Sequence, residues 1–510
     1  MKKSTLFLVL VLMIFSTTSA QPYQETWESL SQVNEEPNWF ADAKFGIYTH
    51  WGPIANANVG MERGSGWYGH YMYMDKANIN WKTGTPRNNN GKPPEAYTHH
   101  VKTYGDPSVF GYKDIIPLFQ PIKFDAEEWA DLFQKSGAQF AGPVAIHHDN
   151  FAMWDSEVTR WNVKTTAGVD VTGELEKAIR KRGLKFLTSF HHAFTWVYFG
   201  FAYQHDGKDP QYSDLYGDAH DFMDHKPNQR FHEEWFAKLK EVIDKYEPDV
   251  IWFDWWVEEL DDDYKRKFMA YYYNKAAEWG REVAVCYKNT SFPEETGILD
   301  FERGRAKNMT PRLWLTDTSP GAWFYRDKTN FKSTNEIVDI LVDIISKNGC
   351  MLLNVPPKPD GSLPDEIKTL LTEMGQWLAI NGEAVYGTRP WIVYGEGPTK
   401  IEKAGHFMEK QKLAYGEKDI RFVGKGKHVI YAFVLGKPQE DILIKSMSTD
   451  LTLLVEEIAS VKLVGSDTAI TWQVGPEGLH ITLPTDLPGD HAFAFKIQMK
   501  SDSENEYNND

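Results

Sequence analysis

Six short apolar runs each end abruptly in a cluster of polar or ionisable side chains: KFGIYTHWG at 44–52, FAGPVAIHHDN at 140–150, LKFLTSFHH at 184–192, DVIWFDWW at 249–256, EVAVCYKN at 282–289 and CMLLNVPP at 350–357. Parallel strands covered on both faces read as unbroken hydrophobic runs. When such strands close into a barrel, the side chains at their carboxyl ends gather on one rim. The pattern predicts a fold and a set of site residues together.

Helical spacing fills the intervals. Asp125 and Glu128 stand at capping-box distance ahead of Trp129, Leu132 and Phe133, and Gly137 follows as a stop. Leu175, Ala178 and Ile179 share one face before Gly183. Trp235, Leu239, Val242, Ile243 and Tyr246 recur at helical period over 231–246, and Ser333 with Glu336 opens the Ile337, Ile340, Leu341, Ile344, Ile345 stripe. The alternation predicts an α/β chain with a (β/α)8-like TIM barrel over 21–390, long loops such as 53–120 crossing its carboxyl face. Beyond Trp391, short alternating runs such as HVIYAFVL, DILIKS, LHITLP and AFAFKI lie between Gly, Pro and Asp turns, which predicts an antiparallel β-sandwich over 391–500. The final SDSENEYNND, 501–510, reads as a disordered acidic tail.

At the other end, Lys2 and Lys3 precede an apolar stretch from Leu6 to Phe15 and a small-residue exit, Thr17-Thr18-Ser19-Ala20. This is the pattern of a cleaved signal peptide, 1–20, because the apolar core is shorter than the ~20 residues that span a bilayer. Periplasmic or extracellular residence without membrane insertion follows as the expectation. Two cysteines, Cys286 and Cys350, exclude a disulfide scaffold, and their spacing leaves open whether they pair. A net charge of −17 disfavours nucleic acid, and it disfavours highly sulfated polysaccharides unless a local basic patch intervenes. With 19 Trp, 24 Tyr and 29 Phe, many beside the strand ends, flat rings are available to stack on sugar faces as well as to pack the core.

The strand ends carry the chemistry. Asp254, flanked by Trp252, Trp255 and Trp256, places a carboxylate at the barrel mouth in an aromatic setting suited to a nucleophile. Glycosidic cleavage needs a second, protonated carboxyl to release the leaving oxygen. His50, His147, His148, His191 and His192 all fall at strand ends, where imidazoles can hold sugar hydroxyls. Clustered His and Asp also suit zinc, but neighbouring residues on a strand face opposite ways, so each His-His pair supplies one inward ligand unless the strand bulges.

The segments WFADAKFGIYTHWG, HHVKTYGD, FDAEEWADLFQKSGAQFAGPVAIHHDNFAMWDS, PDVIWFDWW, WLTDTSPGAWFY, IISKNGCMLLNVPPKPDGSLP and WLAINGEAVYGTRPW, in this order across residues 38–395, resemble glycoside hydrolase family 29, the α-L-fucosidases. The resemblance implies an exo-acting, retaining glycosidase that needs no cofactor or metal and takes fucosylated oligosaccharides or glycoconjugates. It implies Asp254 as nucleophile, and His50, His147, His148 and Trp252 lining the fucose subsite, to which Trp67, His192, Lys288 and Trp323 are added as substrate-binding candidates. Glu302 in LDFERGRAK stands where the family places its acid/base; Glu62, Glu258, Glu259 and Asp317 are alternatives if Glu302 pairs with Arg303 or Arg305. Three departures from the commoner pattern stand out: Gly66 before Trp67-Tyr68 in place of Glu, Ile146 and Asn150 around His-His-Asp in place of Lys or Glu and Gly, and Lys288 in place of Arg. A catalytically silent fucose-binding relative and a metal-dependent hydrolase on the same barrel are the competing expectations.

Overall fold

The computed structural model describes residues 22–500 apart from 77–78, 81, 87–90, 411–412 and 455. The predicted signal peptide and acidic tail lie outside the described residues.

Eight parallel strands close a barrel in sequence order: β1 Phe45–Thr49, β2 Phe140–Ile146, β3 Lys185–Phe190, β4 Val250–Phe253, β5 Ala284–Lys288, β6 Ile298–Asp300, β7 Trp314–Thr318 and β8 Gly349–Asn354, which pairs back onto β1. Side chains alternate between two buried environments. Tyr48, Val144, Leu187, Val250, Trp252, Cys286, Leu315 and Leu352 fill the interior, while Ile47, Phe186, Ile251, Phe253, Val285, Met351 and Leu353 face the helices. Both faces are therefore dry, which is why these strands read as continuous hydrophobic runs. Both cysteines lie inside as free, buried thiols.

Two strands escape the apolar pattern. β6 is three residues long, and β7 carries Thr316, Asp317 and Thr318, all buried, of which Asp317 lines the site.

Six helices of ten or more residues cover the barrel among the described residues: Ala126–Lys135, Val171–Lys181, Gln229–Tyr246, Asp262–Trp279, Thr334–Ile345 and Asp365–Val385. The Ser333/Glu336 capping box forms with both reciprocal bonds. Of the Asp125 box only half forms. Asp125 accepts the amides of Glu127 and Glu128, but the Glu128 carboxylate reaches Lys368 at 2.7 Å instead of returning to the cap. Gly137, at φ +91°, ends that helix in a left-handed conformation that glycine adopts without penalty.

The C-terminal region forms a five-stranded and a three-stranded antiparallel sheet. Ile420, Phe422, Phe495 and Ile497 of the first share one core with Ile442, Ile444, Leu479 and Ile481 of the second, the arrangement of a sandwich. Its contacts with the barrel include a buried ion cluster and a backbone pairing. Asp343 of the Thr334–Ile345 helix is buried between Lys347 and Arg421, each at 2.7 Å. A segment at 405–409 lies along the loop after β6: Gly405 and Arg305 exchange amide bonds, and the Phe407 amide donates to the Glu302 carbonyl at 2.7 Å.

Candidate active site

The carboxyl ends of β1 to β7 and the loops after them enclose a cavity of about 440 Å3. Its wall includes His50, His147, His148, His191, Trp252, Asp254, Lys288 and Glu302. Two larger clefts, of about 580 and 720 Å3, lie in the C-terminal sheets and a third, of about 620 Å3, lies beside the Gln229–Tyr246 and Asp262–Trp279 helices; none is lined by a histidine or a barrel strand end.

Asp254 follows β4 directly, held there by its amide donating to the Phe190 carbonyl at 3.1 Å. Its Oδ1 accepts from Lys288 Nζ at 2.9 Å and its Oδ2 from His191 Nδ1 at 3.1 Å. Burial by itself would raise this carboxyl, but the Lys288 ammonium and the His191 ring outweigh it and hold the group well below the usual range. Asp254 is an ionised carboxylate, buried among aromatic rings.

Lys288, the last residue of β5, also donates to Glu302 Oε2 at 2.9 Å and stands 3.5 Å from Asp317 Oδ2. A tetrahedral ammonium with three donors can serve three separated carboxylates, where a planar guanidinium would commit two donors to one. Despite burial, these neighbours raise its pKa well above the ordinary lysine value. Beneath them, Asp317 accepts the Tyr48 hydroxyl at 2.8 Å, and Asp300 accepts the Trp252 indole N–H at 2.5 Å. That bond fixes the Trp252 ring, which carries the Lys288 ammonium 4.7 Å from its centre.

Glu302 follows β6. Its ion-pair partner is Lys288 rather than Arg303 or Arg305. Arg303 instead donates to the Gly321 carbonyl at 2.7 Å and lies 4.4 Å over the Trp323 ring. Burial, opposed by Lys288 and reinforced by the charges of Asp317 and Asp254, pushes the Glu302 carboxyl up to about 7. Its amide donates to Nδ1 of His406, from the C-terminal region, at 3.0 Å. Among the other carboxyls considered from sequence, Glu62, Glu258 and Glu259 do not line the cavity, and Glu258 is occupied by the Trp256 amide and by Asn289.

His50, His147 and His148 are neutral bases. His50 meets the Asn354 amide oxygen at 2.9 Å through Nδ1; that oxygen only accepts, so Nδ1 carries the proton and Nε2 keeps a lone pair. His148 Nδ1 likewise donates to the His191 carbonyl at 2.8 Å. Burial lowers His148 to about 4 and drives His50 and His147 well below the imidazole range. His148 Nε2, 3.4 Å from Asp254 Oδ2, is thus not a cation in an ion pair.

Both members of the first pair, His147 and His148, reach the cavity because the register of β2 against β3 shifts between Val144 and Ile146 and the strand has ended. The second pair obeys the alternation, and the expectation for His192 is corrected. His192 points away, packing on Trp235 and bonding its carbonyl at 3.3 Å, while His191 enters the site. Trp67 and Trp323 also line the cavity, Trp323 with its ring 5.2 Å from that of His50.

Two of the sequence departures acquire a physical reason. Asn150 sits at φ +61°, a left-handed position that suits glycine or asparagine, and its side chain bonds Lys238 and the Leu215 carbonyl. At Gly66, a Cβ would come within 2.9 Å of the His147 ring, so the imidazole occupies the space where a side chain would begin. Nothing in the structure explains Ile146.

Two donor groups, His50/His147/His191 and His148/His191/Asp254, have atoms within 4.8 Å of one another and could hold a metal ion. The second shares Asp254 with the Lys288 ammonium, whose charge opposes another cation there. Asn354, Asp300, His406 and Arg326 were not foreseen. Asn354 and Asp300 end strands in their own right, but nothing in the local sequence marks Arg326 or His406.

A family model described as Alpha-L-fucosidase matches residues 10–383, and one described as Alpha-L-fucosidase C-terminal domain matches residues 415–498. The tissue α-L-fucosidase of Rattus norvegicus is 29% identical over 493 residues, spanning 92% of this chain and 90% of the rat protein. The α-L-fucosidase of Dictyostelium discoideum is 28% identical over 510 residues, spanning 94% and 95%. An α-fucosidase of Thermotoga maritima, solved with a mechanism-based inhibitor, matches with a TM-score of 0.71 at 27% identity, covering 93% of this chain and 100% of its own. The chain belongs to the α-L-fucosidase family of glycoside hydrolases.

Proposed function

We propose that the protein removes terminal α-linked L-fucose from oligosaccharides or glycoconjugates with net retention, through a covalent fucosyl-enzyme, with Asp254 as nucleophile and Glu302 as acid/base. One observation carries this reading: Lys288 Nζ stands 2.9 Å from Asp254 Oδ1 and 2.9 Å from Glu302 Oε2. The two oxygens are therefore at most 5.8 Å apart, twice that distance. Retaining pairs stand ~5–5.5 Å apart, whereas inverting pairs need ~6.5 Å or more to admit a water.

The two carboxyls have opposite protonation preferences. Asp254 is held as the anion and attacks the anomeric carbon; Glu302, near 7, is substantially protonated at neutral pH and gives its proton to the leaving oxygen. Once the proton has left, the Glu302 carboxylate is stabilised by Lys288 and can activate the water that hydrolyses the ester. The neutral imidazoles of His50, His147 and His148 offer acceptors to the ring hydroxyls, and Trp67, Trp252 and Trp323 offer apolar faces to the sugar and its methyl group. The leader-like residues 1–20 support an exported enzyme.

The test is to follow the first-formed anomer of an aryl α-L-fucoside by NMR and to identify the peptide labelled by a 2-fluorofucosyl donor. Release of the α-anomer with label on the Asp254 peptide is expected. Release of the β-anomer, or label elsewhere, would refute the mechanism.

A further inference from the structure

We infer that the preferred substrate carries an anionic group, a sulfate ester or a carboxylate, close to the scissile bond, and that Arg63, Arg303 and Arg326 hold it at the mouth of the cavity. This deepens the fucosidase reading above and rests on it.

The chain as a whole carries −17 charges, a field that opposes an anionic ligand. The cavity is the exception. Its wall holds four cations, Arg63, Lys288, Arg303 and Arg326, against three carboxylates, Asp254, Glu302 and Asp317, and Lys288 serves all three of those carboxylates. The three arginines are left over. They come from separate loops, after β1, β6 and β7, so their convergence is a product of the fold.

Their partners are few. Among the described residues, neither Arg63 nor Arg326 has a side-chain ion pair, and Arg326 Nε is buried with no hydrogen-bond partner. Arg303 is anchored on the Gly321 carbonyl and the Trp323 ring, with its nearest carboxylate, Glu409, 4.0 Å away. Like charges gathered with few counterions repel, and a buried donor left unbonded costs stability. A neutral deoxy sugar would not relieve either cost, since its hydroxyls are already matched by imidazoles. A sulfate or carboxylate would relieve both, because guanidinium forks match such oxygens two at a time.

The experiment compares kcat/KM for an aryl α-L-fucoside with that for its 2-, 3- and 4-O-sulfates, and for an α-L-fucosyl disaccharide whose leaving sugar is a uronic acid with that for its neutral hexose counterpart. At low salt, at least one anionic substrate should exceed its neutral counterpart by about tenfold or more. That preference should shrink in ~0.5 M sodium chloride. Arg63→Gln and Arg326→Gln should each lower the anionic-to-neutral ratio several-fold; Arg63 is exposed, so its variant tests the idea without disturbing the core. Gains confined to the sulfates assign the anion to the fucose ring, and gains confined to the uronic acid assign it to the leaving sugar. Turnover of the neutral substrates with no anionic preference at any salt overturns this proposal and leaves the fucosidase reading intact. Failure to turn over any fucoside overturns both.

Discussion

Burial and the Lys288 ammonium together set the protonation of the site. The ammonium favours the charged forms of Asp254 and Glu302 together, so the pH profile of kcat/KM should fall with an alkaline limb at about 7, where Glu302 loses its proton. Removing the ammonium in Lys288→Met raises both carboxyl pKa values. Both limbs should then move to higher pH, and the maximum rate should drop; an unmoved alkaline limb would show that Glu302 is not the titrating acid. Asp254→Ala should lower kcat by about 10^3-fold or more, and Glu302→Ala should spare activated aryl fucosides relative to poor leaving groups, with azide restoring the former. Equal loss on both substrate types would remove Glu302 from the acid role. At this scale the sequence was informative wherever a chemically capable residue ended an apolar run, as Asp254 and His50 do. It could not separate His191 from His192, because which neighbour faces inward depends on where β3 ends and the following turn begins.

Individual elements differ in how openly they declare themselves. The strands buried on both faces were legible because both environments demand apolar side chains. β7 was not, because Asp317 sits inside the barrel beneath Lys288 while Thr316 bonds the backbone of the loop after β6. The segment at 405–409 had no signature at all. It becomes meaningful only beside the loop after β6, where His406 accepts the Glu302 amide and Phe407 donates to the Glu302 carbonyl. Glu302 is thus held on both sides of its backbone by the C-terminal region. His406→Ala should cost hydrolysis of poor leaving groups about tenfold more than that of activated aryl fucosides, because an acid displaced by a fraction of an ångström transfers its proton less well. Equal effects on the two substrates in steady-state kinetics would argue against a positioning role.

Across the whole molecule, barrel and sandwich are joined by a buried charge cluster. Asp343 lies between Lys347 and Arg421, whose charges outweigh burial and hold its carboxyl at about 2. Because the folded value lies below the ordinary aspartate value, this group adds stability above the usual carboxylate range and loses it as pH falls toward about 2. Asp343→Ala leaves two buried cations without their anion and should destabilise the protein by about 3–5 kcal/mol, read as a fall in the thermal midpoint. A shift within about 0.5 kcal/mol of wild type would show that the cluster does not join the two regions energetically.

The sequence by itself determined the barrel, the change of texture near residue 391, and the carboxylate of Asp254 at the end of β4, because hydrophobic period and strand-end chemistry are local properties written in consecutive residues. Tertiary structure alone decided which carboxyl stands opposite Asp254, that both imidazoles of the first pair but only His191 of the second enter the cavity, and that three arginines from separate loops meet at its mouth. Those facts depend on distances between residues far apart in the chain, set by barrel closure and by the docking of the C-terminal segment, and no local pattern encodes them.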